Sequence, residues 1–344
     1  MKPSRTPSIA FGCAFLGLCT LAAVILGLLM FPGSAASPPP NTASPISITQ
    51  SPIPNTNSPA AHTQAPPSTH PPPTPAERPP LRGIIAFACF TGGFDQICLM
   101  HADGGARMQL TSGETTHFYP SISRDGSRIY YSARSEELVF EIFVYDLASG
   151  TAAQLTRGIG NLFAPELSPD GSTIVFANAQ GSHQTLWLMD PDGGNPRPLT
   201  DTPADDIDPA WSPDGSLIAF ASSRAGTRQL FVMRADGTDI RQITNLPGMG
   251  GRSAWSPDGT RLAFYAGPAG DHNIFLINLD GSGLAQLTSG GDNLGPTWSP
   301  DGNWIAFTSF RDGNNEIYAI RPDGTGLTRL TDNPISDWQP RWGP

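Results

Sequence analysis

A tetrapeptide returns along this 344-residue chain at a nearly fixed interval, and that interval limits the possible folds more than any other feature. Ser-Pro-Asp-Gly occurs at 168–171, 212–215, 256–259 and 299–302, with Ser123-Arg124-Asp125-Gly126 as a variant. The aspartates stand at 125, 170, 214, 258 and 301, so the steps are 45, 44, 44 and 43 residues. Each turn leads into a short apolar run, as in Leu217-Ile218-Ala219-Phe220. A period of this size in a strand-rich chain points to an array of small sheets, each burying its faces against its neighbours.

Within the tetrapeptide, Pro at the second place and Gly at the fourth suit a type I turn, and the Asp side chain can bond its own backbone. The recurring aspartates are therefore assigned to turn structure and not to catalysis. Each unit reads as four strands. The first precedes the turn (Pro209-Ala210-Trp211, Ser253-Ala254-Trp255, Pro296-Thr297-Trp298), and the second follows it (217–221 and its counterparts). The third is Leu230-Phe231-Val232-Met233 and its equivalents, usually ending in a hairpin Asp-Gly. The fourth is Arg241-Gln242-Ile243-Thr244, with Ala285-Gln286-Leu287-Thr288 and Thr328-Arg329-Leu330-Thr331 alike. Trp211, Trp255, Trp298 and Trp342 read as packing between units, with Ile122 and Leu167 in the same place. The first unit opens at Gly83-Ile84-Ile85-Ala86-Phe87 without a first strand, and the chain closes on Pro340-Arg341-Trp342-Gly343-Pro344, a first strand with no second. Paired, the two ends complete one blade, which closes a ring and removes open sheet edges. The expected fold is all-β, a six-bladed β-propeller over residues 81–344.

The repeat, W-S-P-D-G-x-x-I-A-F followed by I-F-V-M-x-x-D-G and R-x-L-T, resembles the WD40-like repeat of TolB-type propellers across residues 82–344. It lacks the Gly-His and Trp-Asp pairs of true WD40 repeats. The resemblance implies a propeller that binds a protein or a cell-envelope polymer. It also implies that the inter-blade loops and the loops joining second and third strands share one face. On that face the candidate binding residues are His117, Tyr119, Arg134, Asp206, Asp208, Arg224, Arg252, Asp292, Arg311, Asp337 and Trp338. Aromatics beside charges suit a binding face.

Ahead of the repeats lie two unlike segments. Residues 1–8 carry Lys2 and Arg5, and residues 9–31 form 23 uncharged, mostly apolar positions, enough for a helix crossing a ~30 Å hydrocarbon core. Its length favours an uncleaved signal anchor over a secretory leader, whose apolar region is ~7–15 residues; cleavage near Ala36, giving a secreted protein, is the alternative. The positive end stays in the cytoplasm and places the rest outside. Residues 32–80 hold 16 prolines in 49 positions, with Glu77 and Arg78 as the charges, and cannot bury a core. Extended, such a stalk reaches ~150 Å at ~3.1 Å per residue.

The net charge of −10 argues against nucleic acid as a partner. No cofactor, metal site or catalytic set is expected: there is no G-x-S-x-G elbow, phosphate loop or zinc spacing. Asp205, Asp206 and Asp208 lack cation-loop spacing and read as a solvated loop. A monomer is expected. An enzyme of the polysaccharide lyase or hydrolase kind, using axial residues such as His117, His183 and His272, is the alternative function. Cys89 and Cys98 flank a hairpin turn, and an oxidising exterior would bond them if the register brings them together.

Overall fold

The computed structural model describes residues 81–135 and 137–344. The expected membrane helix over 9–31 and linker over 32–80 lie outside the described residues. The described chain forms six four-stranded antiparallel sheets and no helix. We number the blades 1–6 and letter their strands a–d from one edge of each sheet to the other. The a strands of successive blades, which lie against one another, are His117–Ile122, Asn161–Leu167, Asp206–Trp211, Ala254–Trp255 and Asn293–Trp298 in blades 2–6. Blade 1 takes its a strand from the chain's far end, Asp337–Gly343, which pairs antiparallel with Ile84–Thr91. Ile84 stands opposite Gly343 and Ile85 opposite Trp342, so the ring closes as the half-units required.

The reason for the recurring Ile-Ala-Phe-Ala pattern is visible in blade 4. Both faces of its b strand, Leu217–Ser222, are covered, so the run is apolar throughout, yet its two faces differ in bulk. Ile218 and Phe220 point at blade 3, packing with Val175, Ala177, Leu186 and Leu188. Ala219 and Ala221 leave room on the other face for Leu262, Phe264 and Trp255 of blade 5. Blades 5 and 6 repeat the arrangement with Ile305 and Phe307 against Ala263, Ile274 and Leu276. Large-into-small packing of this kind fills each interface without voids. The tryptophans sit in these interfaces as the repeat implied, and Trp211, Trp255 and Trp342 donate their indole N–H to backbone carbonyls of Glu166, Ala210 and Arg82.

The Ser-Pro-Asp-Gly turns are self-contained. In each, the Ser Oγ donates to Asp Oδ1 at 2.6 Å, as in Ser212 to Asp214. The same oxygen of Asp214 accepts the Ser216 N–H at 3.1 Å, and Ser212 Oγ accepts the Leu217 N–H at 2.9 Å. Gly215 closes the turn at a φ of 74° that side chains disfavour. These hydrogen bonds hold the turn carboxylates below the usual range; Asp125 falls to about 2, led by its bond from Ser123.

Strand limits differ from expectation in two places. Most d strands are only two residues long, as in Arg241–Gln242. The Ile-Thr that follows is not ladder but a cap: Thr244 Oγ1 accepts the Leu230 N–H at 2.9 Å and donates to Gln229. Thr111, Thr156, Thr200, Thr288 and Thr331 accept the corresponding N–H in their own blades. The a strands, in contrast, begin about three residues earlier than Pro209 and its equivalents suggest, except in blade 5, where the strand begins at Ala254. Cys89 and Cys98 are bonded, with Cα atoms 5.8 Å apart. They are not directly opposite: Cys89 faces Gln96 and Cys98 faces Phe87, so the bridge runs diagonally across the hairpin.

Candidate binding site: the central channel

Five of the six a strands meet an X-Pro pair midway, and that pair builds the channel wall. Proline has no N–H to give the ladder. The register therefore slips there in blades 2, 3, 4, 6 and 1, leaving one residue unpaired as a bulge. The bulged residues Tyr119, Ala164, Asp208, Gly295 and Gln339 all have φ between 51° and 57°. Blade 5 has Arg252-Ser253 instead of an X-Pro pair, and its a strand shrinks to Ala254–Trp255.

These six equivalent residues form a first ring, and Arg252 spans it. Arg252 is 4 % exposed and reaches from blade 5 to the opposite blade, donating from Nη2 to the Pro120 carbonyl at 2.8 Å. Its guanidinium carbon lies 5.3 Å from the Tyr119 ring centroid. Its backbone N–H donates to Asp208 Oδ2 at 3.0 Å, and Gln339 Oε1 accepts the Tyr119 N–H at 2.8 Å. Burial, with Arg341 nearby, brings the Arg252 pKa down to about 9.

Two residues further along each strand a second ring follows: Ser121, Glu166, Ala210, Ala254, Thr297 and Arg341. From this ring to the Ser-Pro-Asp-Gly turns runs a cavity of 370 Å³. Its inner wall includes Ser121, Glu166, Thr297 and Arg341, and its mouth carries Pro169, Pro213, Pro257, Pro300 and tryptophan edges. None of the first-ring residues lines it, so the Arg252 spoke marks its blind end. Arg124 replaces the turn proline in blade 2 and donates across the mouth to the Pro213 carbonyl at 2.7 Å. Arg341 and Glu166 face each other at 3.6 Å, and Glu166 also accepts the Trp211 N–H at 3.0 Å. Burial pushes the Glu166 carboxyl up and the Arg341 guanidinium down.

The residues singled out in the sequence divide between this channel and the blades. Tyr119, Asp208 and Arg252 come together in the first ring. Most of the others tie inter-blade linkers down. Arg224 clamps Asp206 through both carboxylate oxygens at 2.8 and 2.9 Å while stacking on Phe220 and Phe231. Arg311 donates to Asn293 at 3.0 Å over the Tyr318 ring. Asp292 bonds His272 at 2.6 Å, and the Trp338 indole donates to Asp95 at 2.9 Å. Asp337 is fully buried against Arg107 at 2.8 Å; burial raises its pKa to about 6. His117 bonds Gln96 at 2.8 Å, and burial lowers its pKa to about 4. Arg134 is exposed. The histidines considered for an axial enzyme stay with their own partners: His117 with Gln96, His272 with Asp292, and His183 exposed. Asp205, Asp206 and Asp208 likewise serve three different donors, Gln184 N–H, Arg224 and Arg252 N–H.

Glu166 and Arg341 were not among the sequence candidates. A signal for them exists. In the place before the Trp/Leu/Ile of each a strand the repeat reads Ser, Glu, Ala, Ala, Thr, Arg, and a charge of each sign stands out only when the units are aligned there.

The profile described as the TolB beta propeller domain matches residues 85–246 and 238–344. Among solved structures, TolB from Acinetobacter baumannii is similar at TM-score 0.67 and 22 % identity, over 76 % of this chain and 67 % of that one. A putative TolB from Agrobacterium tumefaciens is similar at 0.59 and 18 %, over 76 % of this chain and 99 % of that one. A chain of a nidogen/laminin complex is similar at 0.61 and 14 %, over 75 % and 98 %. No curated protein matches significantly by sequence.

Proposed function

Since the chain belongs to the TolB β-propeller family, we propose that it is a protein-binding scaffold, engaging its partner at the Ser-Pro-Asp-Gly face. The observation that carries this reading is the cavity opening there, with a mouth of prolines and tryptophans and charges at its base. Aromatic rims around a few buried polar groups are the usual make-up of a recognition pocket. The opposite, loop-rich face offers less, because most of its charged side chains are already bonded within the blades. A propeller of similar fold in a nidogen/laminin complex shows a setting in which such a domain meets a protein. The alternative envelope polymer would meet the same mouth.

We further propose that residues 9–31 anchor the chain, that 32–80 serve as a stalk, and that the propeller works outside the cytoplasm as a monomer. The Cys89–Cys98 bridge supports an oxidising location. In the test, the full chain is crosslinked in its native envelope and its partners are compared with those of Arg124→Glu and Arg134→Glu. Loss of a discrete partner in Arg124→Glu alone is expected. Loss in Arg134→Glu alone would move binding to the loop face, and no partner in any form would sink the scaffold reading. Cysteines 89 and 98 should resist alkylation in the exported chain until it is reduced.

A further inference from the structure

The channel contains a cation whose one ion pair among the described residues, with Glu166, is not closed by a hydrogen bond. Arg341 is 8 % exposed and lines the inner wall of the cavity. Its guanidinium donates no hydrogen bond to any described residue, and its Nε is fully enclosed without a partner. The nearest opposite charge, Glu166 Oε2, is 3.6 Å away, beyond hydrogen-bond reach. An Arg–carboxylate pair built for structure closes to ~2.7–2.9 Å, commonly through two parallel bonds. Glu166 is instead drawn toward Trp211, whose N–H it accepts at 3.0 Å. Close by, Ser121 Oγ is also buried without a partner. A second buried guanidinium, Arg252, stands one ring further in, with its Nε and Nη1 unpartnered. Buried charge and buried donors are unfavourable until they are paired.

We propose that the inner end of this cavity is an oxyanion site that takes a carboxylate, with Arg341 as the fork that grips it. The planar guanidinium matches a carboxylate's two oxygens better than any other side chain does. The cavity, at 370 Å³, falls at the small end of ligand pockets, ~300–1,000 Å³. Across the ring from the fork the wall is apolar at Ala210 and Ala254, so it offers the bound oxygens no competing donor. The carboxylate can arrive as a free small acid or as the end of a peptide. The site does not depend on the protein partner proposed above, because a small acid alone reads it.

The test uses the full chain and acetate as probe, at constant ionic strength with chloride as the control. Intrinsic fluorescence reports binding, since Trp211, Trp255, Trp298 and Trp342 line the cavity. Saturable binding of acetate is expected, at least tenfold weaker in Arg341→Gln and intermediate in Arg341→Lys. Glu166→Gln removes the competing negative charge and should bind acetate severalfold more tightly. Tighter binding of a short peptide acid than of its amide assigns the site to a chain end; no gain over acetate assigns it to small acids. A folded Arg341→Gln that binds acetate like the parent overturns the proposal. If that variant does not fold, failure of Glu166→Gln to tighten binding overturns it equally.

Discussion

At the scale of single residues, several positions carry effects that can be measured apart from the rest. Leu138 is exposed and sits at φ 63°, where a side chain costs about 1–2 kcal/mol. Leu138→Gly should therefore raise stability by about 1 kcal/mol in urea unfolding, although it removes an apolar side chain. Two buried groups set opposing pH dependences. His117 has its pKa lowered to about 4, so the unfolded chain binds the extra proton between about 6.5 and 4 and stability falls as pH drops through that window. Asp337 has its pKa raised to about 6, so the folded chain holds the proton and stability rises as pH drops from about 6 toward 3.8. The two offset each other between pH 4 and 6. Asp337→Asn should steepen the loss of stability on acidification there, and His117→Gln should reverse it; thermal melts at pH 4, 5 and 6 decide. Neither shift is visible in the sequence, where both residues read as binding candidates on the loop face. His117 is held by Gln96, near the start of Phe94–His101, and Asp337 by Asn333 of the segment leading into its strand and by Arg107, just ahead of Met108–Gln109.

At the scale of elements, the b strands were the most legible part of the chain. Their runs are apolar because both faces are covered, and the alternation of bulk fixes which face meets which neighbour. This predicts unequal responses at adjacent positions. Phe220→Ala should cost about 3–5 kcal/mol by opening a cavity against blade 3. Ala219→Leu should cost about 1–3 kcal/mol by crowding Leu262 and Phe264 of blade 5. Chemical denaturation of both variants tests the assignment, and a tolerated Ala219→Leu would contradict it. The a strands were harder to read, because the X-Pro pair that breaks their ladder looks like a boundary when it is a bulge. The channel charges were hidden for the same reason. Glu166 follows Pro165 and Arg341 follows Pro340, so they lie within what reads as a short strand, not in the variable loops where binding residues are usually sought.

At the scale of the molecule, closure rests on one strand. Trp342 packs with blades 1 and 6 and donates to the Arg82 carbonyl at 2.7 Å. Trp342→Ala should cost about 3–5 kcal/mol and lower the unfolding temperature of the whole propeller, since no blade is complete without a ring around it. A separate early transition confined to blade 1 in calorimetry would show instead that the ring survives open. The number of blades and the manner of closure were legible because they follow from counting units and matching their ends. The cavity was not, because it depends on which of six near-identical strand positions carries charge.

That closure also sets a timetable. Ile84 cannot meet Gly343 until 259 more residues have been made, which at ~5–20 residues per second takes roughly 13–50 s. Throughout that interval Ile84–Thr91 can fold against Phe94–His101, the two bonded cysteines being nine positions apart, yet its other edge stays unpaired and apolar. The first blade begun is thus the last one finished. While the chain is being made, its greatest exposure to mispairing lies in the segment nearest the start of the ring.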